Sequence, residues 1–200
     1  MKRLVFLAWV LLGTGVAGAS ERLDALLAEA QLEMRPPEGY REIGAGRTSI
    51  MDYEHALRGP DGDLEIRVAI RPLRRRRIEY NDPHGSTPDP EHVFPLVFES
   101  LLSRLAGGRH APSNAYPPGQ AREKFNADWA AAGVFDTTAD FSSDFSQGLL
   151  VAIHRNGVAD AYVVLLFDDY DRIRPKLGEA LAVMRFAPAV TNTSGGELGG

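Results

Sequence analysis

The chain contains no cysteine. A disulfide framework, a thiol nucleophile and a thiolate metal site are therefore excluded, and rigidity has to come from a packed core. It also lacks a GxSxG elbow, a P-loop, a GxGxxG turn and an HExxH pair, the short motifs of nucleophilic, phosphate-binding and metal-dependent enzymes. Long apolar runs are missing too. The longest, "LVFLAWVLLGTGV" at residues 4–16, falls short of the about 20 residues a membrane span needs. Positive charge is in the minority, with 22 Lys and Arg against 27 Asp and Glu and a net charge of −5. That balance argues against a general affinity for nucleic acid or anionic lipid.

What is present first concerns the compartment. Lys2 and Arg3 precede the apolar run, and Ala17 to Ala19 read "AGA", the order of a cleaved secretory signal peptide. Cleavage after Ala19 is expected to leave Ser20 as the first residue, with no cysteine there for a lipid anchor. Removing Lys2 and Arg3 leaves 20 basic against 27 acidic residues, a net of −7. An exported chain without disulfides fits a bacterial periplasm. The expectation is a periplasmic or secreted protein with no stable membrane insertion after cleavage. Residues 1–19 are read as the signal peptide, 20–188 as one α+β domain, and 189–200, ending in "TNTSGGELGG", as a disordered tail.

Periodicity supplies the elements. "SERLDALLAEAQ" repeats Leu23, Leu26, Leu27 and Ala30 at helical spacing, with Ser20 as its expected cap. From Ser49 to Arg58 the period becomes two, placing Met51, Tyr53, His55 and Leu57 on one face. After a turn at "GPDGD", Leu64, Ile66, Val68 and Ile70 point one way, and Asp63, Glu65, Arg67 and Arg71 the other. This predicts an antiparallel hairpin with one wet face. A helix follows with Asp89 as cap and the stripe Phe94, Val97, Phe98, Leu101, Leu105, broken or kinked at Pro95. "QGLLVAIHR" and "VADAYVVLLFD" form a second hairpin around Asn156 and Gly157, whose later strand is apolar on both faces. "DRIRPKLGEALAVM" predicts a last helix, with Asp171 at its start and Ile173, Leu177, Leu181 and Met184 in register.

The order helix, hairpin, helix, hairpin, helix, with "KFNADW" (124–129), "VFDTTADF" (134–141), the "NG" hairpin, "LLFDDYD" and "VMRF", resembles the PsbP/Mog1-like α/β/α sandwich family over residues 33–187. The resemblance implies a mainly antiparallel sheet with helices packed on both faces. It also implies an accessory or protein-binding role, with no catalytic motif to carry over.

The most conspicuous stretch is "RPLRRRRIEYNDPHGSTPDPEH", residues 71–92, with five arginines in its first seven positions. Along a strand Arg75 and Arg77 would face away from Arg74 and Arg76. Glu79, Asp82, Asp89 and Glu91 nearly balance the charge, and only Tyr80 offers a stacking ring. A solvated loop with a charged shoulder is expected, not a nucleic-acid groove. His84, His92 and His110 with Asp89 and Glu91 show no ligand spacing, so neither metal nor cofactor is expected. His55 reads as a hydrogen-bonded core histidine; Asp168 and Asp169 read as a strand end before the Asp171 cap. Trp129, Phe135, Phe141 and Phe145 read as core or rim packing.

Loops 72–90 and 107–124 are the longest irregular stretches and the best place for a functional surface. Their candidates are Arg74, Arg75, Arg76, Arg77, His84, His110 and Tyr116, as a partner or anion surface. The expected role is a non-catalytic accessory protein acting on a protein partner in the cell envelope. The alternative is a secreted hydrolase or metal-dependent enzyme using scattered carboxylates and histidines.

Overall fold

The computed structural model describes residues 14–73 and 90–188, with side chains over 20–73 and 93–188. The arginine run 74–77, His84, the Asp89 cap and the tail from 189 lie outside the described residues.

Seven strands form one antiparallel sheet in the order β2 (Arg41–Glu42), β5 (His55–Arg58), β6 (Glu65–Pro72), β10 (Ala159–Phe167), β9 (Gln147–Arg155), β8 (Trp129–Asp136), β7 (Ser113–Ala115). Strand β10 is central and all nine of its residues are buried. Its alternation divides the core as expected: Ala161, Val163, Leu165 and Phe167 enter one cluster, and Tyr162, Val164 and Leu166 the other. The β9–β10 turn closes with Val158 N–H donating to Arg155 O at 3.0 Å. Only one of its two central residues, Gly157 (φ 67°), adopts positive φ, where glycine carries no Cβ penalty.

Helices cover both faces, so the α+β class with a mainly antiparallel sheet holds. One face is closed by α1 (Thr14–Glu29), α3 (Pro118–Phe125), α5 (Leu177–Leu181) and a two-stranded ribbon of β1 (Leu32–Met34) with β11 (Met184–Phe186). Ile173 of the short α4 (Tyr170–Ile173) joins that cluster. The other face carries α2 (Pro90–Leu105), which lies over β8 and β9 through Phe94, Phe98, Leu102 and Leu105. The approach is close: a Cβ on Gly133 would stand 2.4 Å from the Leu102 side chain. None of the described helices is long and apolar enough to cross a membrane.

Four local expectations are corrected. Helix α1 already runs from Thr14, ahead of Ser20, through Gly15 and Gly18 in spite of their low helix propensity; no proline interrupts the stretch. The expected cleavage point lies inside that helix. Second, Met51, Tyr53, His55 and Leu57 do not share a face. Glu54 and His55 both oppose Val68, a bulge that reverses the alternation. Met51 and Tyr53 pack toward α2, and Leu57 toward the opposite cluster.

Third, the last helix is broken. A 3-10 turn, Arg174–Lys176, separates α4 from α5, since Pro175 has no N–H to continue the ladder. Met184 belongs to β11 and pairs with Met34. Fourth, Asp169 caps α4, accepting from the backbone N–H of Asp171 (3.0 Å) and Arg172 (3.3 Å). Its extended backbone (φ −131°, ψ 109°) aims the carboxylate at those donors.

Candidate functional site

The supposed wet face of β6 is buried. Glu65 and Arg67 point toward the α2 side and are 2% and 9% exposed. The loop 137–145 folds over them and brings Phe141 and Phe145 into the core. Arg67 donates through Nε to Glu65 Oε1 at 2.7 Å and through Nη1 to the Phe141 carbonyl at 2.6 Å. Its guanidinium lies between the rings of Tyr53 and Phe141. Arg58 bonds the second oxygen of Glu65 and stacks on Phe145. It also binds Asp144 at 3.2 Å, and that hydrogen bond holds the Asp144 carboxyl below its ordinary range. One carboxylate thus joins two guanidiniums in a nearly dry setting.

Farther along the same face runs a second polar row. Arg71 opposes Asp160, Asp160 opposes His154, and His154 opposes Trp129. His154 Nδ1 lies 2.7 Å from Asp160 Oδ1. The imidazole stacks on Phe94 with centroids 4.8 Å apart, and its Nε2 has no hydrogen-bond partner among the described residues.

An open groove of about 400 Å³ runs between α2 and the sheet residues Arg71 and Tyr162; its apolar lining is Ile50, Met51, Leu96, Val97 and Leu101. Its wall opposite α2 is the loop between β3 (Gly46–Arg47) and β4 (Asp52–Tyr53). Thr48 shapes that loop: its Oγ1 accepts from Ile50 N–H and Met51 N–H and donates to Met51 O. Two arginines clasp the ends. Arg104 of α2 donates to Ser49 O at 3.2 Å. Arg71 binds the Glu54 carboxylate at 2.8 Å and Asp52 O at 2.7 Å. Glu54 also accepts from Ile70 N–H at 2.8 Å, so its carboxylate serves a strand donor that the bulge leaves without a ladder carbonyl. Leu96, at the end of the α2 wall away from Arg104, is 69% exposed.

Of the partner-surface residues singled out from sequence, His110 and Tyr116 are described, and neither lines this groove. His110 is exposed in the loop before β7, where the adjacent Ala111 packs on the α2 side. Tyr116 is half-buried on the opposite side, edge-on to Phe125 at 5.4 Å, and burial pushes its hydroxyl pKa up. His55 is buried, with Nδ1 3.2 Å from Glu42; burial pushes its pKa down, and the Glu42 charge opposes this. Asp168 accepts from Ser146 N–H and Oγ. Asp61 and Asp63 hold Lys176, which lowers Asp61 and raises Lys176 through their shared hydrogen bond. Those acids act as ties between loops. Among the described residues no group of three or more His, Asp or Glu is placed to hold a metal.

Sequence reasoning missed the groove, although one signal for it was legible. Leu96 is an apolar residue off the buried stripe of its own helix. Ile50 and Met51 gave no such signal, because their face depends on the bulge.

No protein-family model matches the chain, and no curated protein matches it. Among solved structures it is similar to the solution structure of cyanobacterial PsbP from Synechocystis sp. PCC 6803, at 12% identity over 78% of this chain and 87% of that one, with a TM-score of 0.43. The α+β class stands on the strand order and the two covered faces, not on that likeness.

Proposed function

We propose that the protein is an exported, non-catalytic accessory protein that works by docking a protein partner in the groove between α2 and the 48–51 loop. The observation that carries this reading is Leu96, 69% exposed, set among four other apolar lining residues. Apolar side chains contiguous at a concave surface are the usual core of a contact site. Leu96→Asp tests it. Stability should stay within about 0.5 kcal/mol, as for a surface change, while co-purification of the partner from an envelope fraction disappears. Retained co-purification would sink the groove as the contact site. Replacing Arg74, Arg75, Arg76 and Arg77 by Ser is the parallel test of the arginine run as partner surface. Export is checked by mass spectrometry of the mature chain, expected to start at Ser20.

A second reading, an enzyme, is favoured by His154. A carboxylate-held imidazole is the pairing that orients a general base or a metal ligand; here its unpartnered Nε2 is buried beside Phe94, which a substrate or metal would have to displace. Hydrolase activity, or stoichiometric metal in the purified protein, that disappears in His154→Gln would favour this reading over the first.

A further inference from the structure

We infer that the occupant of the α2 groove is a short amphipathic helix presenting a carboxylate to Arg104. The inference rests on the docking role proposed above and adds the partner's chemistry. Three observations carry it.

The groove offers an extended peptide only isolated backbone groups of the 48–51 loop, not a run of them. The α2 wall has its main-chain groups engaged within the helix. On the facing loop, Ile50 N–H, Met51 N–H and Met51 O are all taken by Thr48 Oγ1, and Ser49 O by Arg104. An extended segment entering here would bury unpaired backbone groups, whereas a helix brings its own hydrogen bonds.

The dimensions agree. The α2 wall runs from Leu96 to Arg104, about 12 Å at 1.5 Å per residue, which is the length of two helical turns. Two apolar residues one turn apart on the occupant would reach the Leu96–Val97 and Leu101 surfaces.

Charge gives the sign. Among the described residues, the charged side chains lining the groove are Arg71 and Arg104 alone. Arg71 is paired with Glu54. Arg104 contacts a carbonyl and has no ion pair among the described residues. A cation at the end of an apolar trough, with no described carboxylate in the lining, selects an acidic occupant over a basic one.

The test places a photo-crosslinking amino acid at position 96 of the full chain, in the cells that make it. The attached segment is identified by mass spectrometry. The expected adduct is a segment with helical apolar spacing and a carboxylate one turn beyond its anchor. A synthetic peptide of that segment should bind the purified protein. Arg104→Glu should weaken binding about fivefold, as for a charge pair at a rim, and a carboxylate-to-lysine peptide should recover it. An adduct with a basic segment, an extended segment or a second copy of this chain would overturn the acidic-helix inference and leave a protein-contact role standing. Absence of recovery by the swapped peptide would do the same. A lipid adduct, or no adduct at all, would overturn both.

Discussion

The two faces of the central sheet are solved differently. On one, three helices and the β1–β11 ribbon press on an almost wholly aliphatic layer that includes Leu57, Ile66, Val68, Ile153, Val163 and Leu165. On the other, α2 brings Phe94 and Phe98 against Phe135, Phe141, Phe145 and Tyr162 in an aromatic layer, with Glu65, Arg67, His154 and Asp160 buried beside it. Geometry explains the contrast. Seven strands spaced about 4.8 Å apart make a surface roughly 29 Å wide, and one helix covers about 10 Å of it. The uncovered width has to be filled by long side chains and folded loops, and guanidinium stems stacked on rings suit that task. Where the filling ends, a groove opens. The side of the sheet with less secondary structure is therefore the side left with a groove.

The largest effect expected of that contrast is on α2, the helix that holds the aromatic face. Phe98→Ala should cost about 3–5 kcal/mol in urea unfolding. A loss below about 1 kcal/mol would mean that the loops close this face without it.

Next comes the charged filling. Glu65→Leu leaves Arg58 and Arg67 facing each other without their carboxylate and should cost about 3 kcal/mol. Changing Arg58 and Arg67 to Met in the same chain should return most of that, because a buried ionic group can be exchanged for packed apolar residues. If the single change is mild, water reaches the network and the face is more open than its burial indicates.

The smallest effect is electrostatic and falls on the aliphatic side. His55 has a folded pKa below its ordinary 6.5, chiefly through burial. The unfolded chain then takes up its proton first as the pH drops. Stability should decline as the pH falls through the window just beneath 6.5, levelling off once the folded histidine also protonates. Melting temperatures of wild type and His55→Gln across that window check the sign; parallel curves would show that His55 contributes nothing.

The strand-dominated half was readable because its periodicity is local. Two-sided burial of β10, the hairpin around Asn156 and Gly157 and the Phe94, Phe98 and Leu105 stripe of α2 follow from side-chain spacing alone; Leu102, not the expected Val97 or Leu101, completes the buried side of that helix. The ribbon β1–β11 was not readable, because Leu32–Met34 and Met184–Phe186 are three-residue strands whose pairing spans nearly the whole chain. Of the candidate site, Leu96 was present as an out-of-phase apolar residue and Arg71 as part of the arginine run. Nothing local marked Ile50, Met51 or Arg104 as their neighbours.

What the sequence determined by itself is the alternation that sorts each strand into two faces and the absence of cysteine that leaves the core to hold the fold. Which face became wet, dry or grooved was decided only in three dimensions. Glu65 and Arg67 carry the pattern of solvent-facing residues, and they are buried because a loop more than seventy positions away lays the Phe141 carbonyl on the Arg67 guanidinium. A period of two separates the sides of a strand, but it contains no term for what the rest of the chain will place on either side.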